Sequence, residues 1–141
     1  MIGREIKSFV DGLSVDRVAR VKSACWRSVD KWEIALFVAG QPDASEHDEL
    51  HSINDACGLC REFFGTSIER GDHRCLGCPL FVGGEPCYLR GTYGKIYDYL
   101  SYEKHDDLSE EFLGWVKEYG EQLIVYLKEL IAEMNSEAKT E

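Results

Sequence analysis

The 141-residue chain is long enough for one hydrophobic core and too short for two independent ones. With 44% hydrophobic residues, including three Trp, seven Tyr and six Phe, it is no disordered acidic tail, and no run approaches the roughly 20 apolar residues that span a bilayer. The formal charge of −10 opposes nucleic acid as a general partner, except at a local basic patch, and favours basic proteins.

The opening stretch, MIGREIKSFVDG, carries charges where an export signal needs an apolar run, so a cytoplasmic protein is expected. Ile2, Ile6, Phe9 and Val10 recur at helical spacing, and Gly12 is a natural stop. Ser14 can cap a second helix, on which Val15, Val18, Val21 and Cys25 share a face. Val29, Trp32, Ile34, Leu36 and Phe37 carry the apolar pattern on to Val38, where Gly40 and Pro42 end it. A strand over Arg17 to Lys22 is the weaker alternative, because alternation is not sustained.

Residues 41–56 read as an acidic connector with one short helical turn after Ser45. They hold five acids (Asp43, Glu46, Asp48, Glu49, Asp55) and no Lys or Arg. A cysteine module spans 57–95, with Gly83-Gly84 placed to turn a small hairpin between Pro79 and Leu89. Five of the seven tyrosines fall within residues 88–102.

A long amphipathic helix is expected over 107–135. Asp107 or Ser109 can cap it, and Phe112, Val116, Tyr119, Leu123, Leu127, Leu130 and Met134 recur at steps of three and four. Leu113, Ile124 and Ile131 widen that stripe beyond a coiled-coil seam. From Phe112 to Met134 it runs roughly 34 Å at about 1.5 Å per residue. Gly120 interrupts it, at a cost of about 1 kcal/mol relative to alanine. The stripe fits packing against the N-terminal helices, with a homodimer seam as the other use. The expected architecture is therefore mainly α: a single domain over 1–141 in which helices from 1–40 pack with the C-terminal helix around a small zinc-knuckle and β-hairpin module.

The chemistry lies in the cysteines. In a reducing compartment six cysteines point to metal or redox chemistry rather than a disulfide framework. The pattern is Cys57-Gly58-Leu59-Cys60, fourteen residues, Cys75-Leu76-Gly77-Cys78, eight residues, Cys87. A CxxC turn brings two sulfurs to one side, and two such turns supply a tetrahedral thiolate shell for zinc. Fourteen intervening residues sit just outside the usual window of about fifteen to twenty. The favoured ligands are Cys57, Cys60, Cys75 and Cys78, with Cys87 a nearby buried thiol. The alternative keeps three of these and takes Cys87 as the fourth. His73 is a weaker candidate, and Cys25 reads as a small core residue. An iron–sulfur cluster is the main rival, although its common spacings are tighter. An all-thiolate zinc site is closed and poor at activating water, so a structural role is expected.

Ser28-Val29-Asp30-Lys31-Trp32, the acidic linker, the two CxxC pairs with Pro79 and Leu80, and a Gly ahead of Cys87 together resemble a group of small, mostly uncharacterised bacteriophage proteins. Those share an S-x-x-K-W helix, then C-x-L-C, C-x-x-C-P and a final cysteine before an aromatic-rich stretch. The likeness covers about residues 28 to 100 and omits the first twenty-five residues and the C-terminal helix. It implies a phage or prophage origin and a metal-held fold, and no particular activity.

No catalytic constellation is legible. The expected function is a non-enzymatic zinc protein of phage type that binds a host protein, such as a defence or nucleic-acid enzyme, and inhibits or redirects it, with acidic mimicry of DNA as one means. Tyr93, Tyr97, Tyr99, Tyr102 and Arg90 are the candidate partner-binding residues. The alternative is a zinc-dependent nucleic-acid-binding regulator that reads through Arg61, Arg70, Arg74, Arg90 and Lys95.

Overall fold

The computed structural model describes residues 2–54, 59, 62–63, 78–82, 87, 90–102 and 107–137. Among these the protein is mainly helical and forms no strand. The elements are α1 (Ile6–Asp11), α2 (Val15–Ala39), a 3-10 turn (Ala44–Glu46), α3 (Asp48–His51), α4 (Gly91–Tyr102) and α5 (Glu110–Glu137). The expected hairpin between Pro79 and Leu89 lies largely outside the described residues.

Local chemistry sets the ends of these helices. The Glu5 carboxylate accepts the Ser8 amide at 2.7 Å at the start of α1, and that hydrogen bond holds its pKa below the usual carboxylate value. Ser14 Oγ accepts the Arg17 amide at 3.3 Å, and α2 then runs unbroken for 25 residues to Gly40. The Arg17–Lys22 stretch is helix, not strand. Of the two expected caps on α5, Ser109 serves, its Oγ accepting the Phe112 amide at 3.1 Å.

α2 and α5 pack antiparallel as the main layer. Lys22 Nζ donates to Asn135 Oδ1 at 2.8 Å near one end, and Glu33 meets Lys128 at 3.4 Å further along. The Trp32 ring then stands edge-on to Tyr119 at 5.2 Å. Every residue of the expected α5 stripe is buried, together with Ile124 and Ile131, while Leu113 packs at its margin. That stripe is therefore taken up inside the chain. On α2 the buried face is Val21, Cys25, Ser28, Val29, Trp32, Ala35 and Val38. Ile34 and Phe37, counted with the core in the sequence, are exposed instead. At about 100° per residue they fall on the side opposite Cys25 and Trp32.

Gly120 has a packing reason. A Cβ there would come within 2.9 Å of Leu36 Cδ2 and 3.2 Å of Trp32 Cε3. The missing side chain lets α2 approach closely and seats the indole. α4, which the sequence reading did not separate as a helix, covers this junction. Its Tyr93 stacks on Tyr119 at 5.0 Å and meets Trp32 edge-on at 5.9 Å. Gly91 begins α4 at a φ of 55°, a left-handed value that an L side chain adopts at a cost.

Two substitutions on α5 should move stability in opposite directions. Gly120→Val should lower unfolding free energy by about 1–3 kcal/mol through overpacking. Gly114→Ala, where a Cβ meets nothing within 4 Å, should raise it by about 0.5–1 kcal/mol. Urea denaturation of both variants checks this, and a neutral Gly120→Val would contradict the packing.

Candidate metal module and acidic face

The described parts of the cysteine region are docked on the helices at two places. The first is Leu59, which sits between Cys57 and Cys60. Its side chain is buried, and its amide donates to Ser28 Oγ at 3.3 Å. Ser28 is wholly buried on α2, so this bond satisfies two polar groups that would otherwise be stranded in an apolar layer. Glu62 then pairs with Arg17 at 3.1 Å and Arg20 at 3.4 Å. Phe63 packs on Phe9, with the Arg17 guanidinium 5.1 Å from its ring centre. This piece thus runs back along α2 from Ser28 towards its N-terminus.

The second docking place is the turn from Cys78 to Val82. The Arg4 amide donates to the Pro79 carbonyl at 2.7 Å, and Arg4 Nε donates to the Phe81 carbonyl at 2.9 Å. One Arg90 guanidinium nitrogen donates to the carbonyls of both Leu80, at 2.8 Å, and Ile2, at 3.0 Å. Tyr126 completes the clasp, its hydroxyl donating to the Arg4 carbonyl at 2.7 Å. Gly3 lies flat on that ring, where a Cβ would come within 2.5 Å. Burial raises the Tyr126 pKa, with smaller electrostatic contributions from Cys78 and Cys25.

Cys78 is buried, and its Sγ accepts the Leu80 amide at 3.5 Å. Cys87 is half-buried beside a cleft of about 200 Å³ that Ile2, Arg90, Thr92, Tyr119 and Gln122 help to line. Neither cysteine is in a disulfide, and Cys25 is fully buried as a small core residue. Cys57, Cys60, Cys75 and His73 lie outside the described residues. Among the described residues no three metal-binding side chains come together.

Tyr93 is buried against Trp32 and Tyr119 and packs in the core. Tyr97 leans edge-on to Tyr93, and Tyr99 stacks on Phe112 at 4.5 Å, which leaves both partly covered. The side chain of Tyr102 lies outside the described residues. Arg90 is engaged with the two backbone carbonyls, and Lys95 lies 5.9 Å from the Trp115 ring centre. Arg61, Arg70 and Arg74 are outside the described residues. The tyrosines on α4 recur at the spacing of an amphipathic helix, with Tyr93, Ile96, Tyr97 and Leu100 inward.

A juxtaposition that the sequence did not announce lies at the opposite end of α2. Ser45 Oγ accepts the Leu108 amide at 2.8 Å across 63 residues of chain. That bond fastens the acidic connector to the start of α5. Asp43, Glu46, Asp48 and Glu49 therefore share one end of the bundle with Asp107, Glu110 and Glu111, all exposed. His47 lies 3.2 Å from Asp43 and 3.8 Å from Glu49 and partly offsets this charge when protonated.

No family model matches the chain, and neither the curated proteins nor the solved structures contain a significant match.

Ser28→Ala should leave the buried Leu59 amide unsatisfied and lower unfolding free energy by about 1–3 kcal/mol in a denaturant titration. A loss under about 0.5 kcal/mol would remove Ser28 from its anchoring role.

Proposed function

We propose that the chain is a non-enzymatic binding protein of phage type, held in its middle by a structural zinc, whose acidic end docks on a basic groove of a host protein. The observation that carries the docking half is the Ser45–Leu108 hydrogen bond. It gathers two acidic stretches, distant in sequence, into one exposed array of seven carboxylates. Such an array presents negative charge as a nucleic-acid backbone does, and complementary charge speeds encounter with a basic cleft. A defence or nucleic-acid enzyme of the host is the class of partner this suits, and occupation of its groove would inhibit it.

The metal half draws on Cys57, Cys60, Cys75 and Cys78, with Cys87 as the alternative fourth ligand. Its support is the buried Cys78 sulfur with the Leu80 amide donated to it. A closed thiolate shell supplies a cross-link for the middle of the chain and leaves no open position for water. Ser28, Arg4 and Arg90 would then carry that cross-linked unit on the helices. The nucleic-acid-binding reading is the weaker one, because Arg90 already serves two carbonyls of its own chain.

Elemental analysis of anaerobically purified protein should find about one zinc per chain. Finding neither zinc nor iron would sink the metal half. For the docking half, immobilised protein should retain a stoichiometric basic partner from host lysate at low salt. An Asp43→Lys/Glu49→Lys/Glu111→Lys variant should lose it. Equal retention by that variant, or no partner at all, would contradict the assignment.

A further inference from the structure

We infer that the outer face of α2 is a self-association surface whose occupant is a second copy of this chain, packed antiparallel. Among the described residues five large apolar side chains are exposed. Four of them lie on α2: Val15 at 51%, Trp26 at 46%, Ile34 at 50% and Phe37 at 70%. At about 100° per residue Val15, Trp26 and Phe37 fall within about 20° of a common line, with Ile34 about 80° round from Trp26. Single exposed apolar residues are ordinary on a protein surface, whereas a row of them along one helix marks a contact face.

The order of residues along this face identifies the occupant. Counted from Trp26, Val15 lies eleven residues before and Phe37 eleven after. Lys22 lies four before and Asp30 four after. The face is thus palindromic in apolar residues and opposite in charge about its midpoint. A two-fold axis at Trp26 makes an isologous contact of it. Phe37 of one copy then lies against Val15 and Ala19 of the other, and Lys22 faces Asp30 and Glu33 of the other. The two Trp26 rings meet near the axis.

Parallel pairing would instead set Lys22 on Lys22 and Asp30 on Asp30. Lys22 and Glu33 border this face and also reach α5 within the chain, at Asn135 and Lys128. The face is about 37 Å long over 25 residues, enough for an extended helix pair. The α5 stripe is spent inside the chain and leaves α2 with the longer exposed apolar row.

Sedimentation equilibrium of the full chain tests this, with thermal melts to show that each variant folds. The wild type should be a micromolar dimer. Phe37→Ser and Asp30→Lys should each weaken it about tenfold or more. The swap Lys22→Asp/Asp30→Lys should recover most of that loss, because antiparallel pairing simply reverses each contact. A wild type that stays monomeric at about 100 µM would overturn the inference. So would a dimer indifferent to Phe37→Ser, or a double swap no tighter than Asp30→Lys. A monomer that captures a foreign protein only when Phe37 is intact would give the face to that partner and equally overturn self-association.

Discussion

The Trp32 indole rests where α5 has no side chain. Gly120 leaves room for it and for Leu36, and Tyr119 and Tyr93 close around its edges. A glycine within a 28-residue helix is unfavourable by about 1 kcal/mol against alanine. Here that penalty is offset by close approach of two helices and burial of three large aromatic rings, whose pairwise contacts each contribute on the order of a kcal/mol beyond area. The antiparallel register of α2 and α5 is fixed at this point, and α4 is laid over it by Tyr93.

From that register the remaining placements follow. Ser28 lies one turn before Trp32 on the same buried face and can take the Leu59 amide only because α2 presents that face inward. At the far end, antiparallel packing brings the end of α2 beside the start of α5, so that Ser45 reaches Leu108. The buried Leu59–Ser28 contact and the acidic end are thereby held apart by about 16 Å of helix between Ser28 and Ala39.

Much of this was legible in the sequence, and the exceptions have physical reasons. The α5 stripe declared itself because seven residues recur at helical spacing, and Ser14 and Gly40 mark the limits of α2. α4 was hidden by Gly91, Gly94 and its tyrosines, residues with weak helix propensity, and forms because tertiary contacts of Tyr93 and Tyr99 outweigh that. Ile34 and Phe37 read as core because apolar runs do not reveal which side of a helix is covered. The acidic end joins remote segments through the Ser45–Leu108 hydrogen bond and the buried Ala44 and Leu50, for which no local signal exists. The cysteine pattern was legible as spacing, and the structure adds the anchoring roles of Ser28, Arg4 and Arg90. Of these only Ser28 carried a hint, as a polar residue on a buried helical face.

The seating of Trp32 against Gly120 is most directly tested by a double-mutant cycle between Trp32→Leu and Gly120→Ala, read by chemical denaturation. Alanine at 120 should be unfavourable opposite tryptophan and become neutral or favourable opposite leucine, giving a coupling energy of about 1 kcal/mol or more. Additivity within about 0.5 kcal/mol would show that the two positions do not sense each other, and would remove the contact on which the register rests.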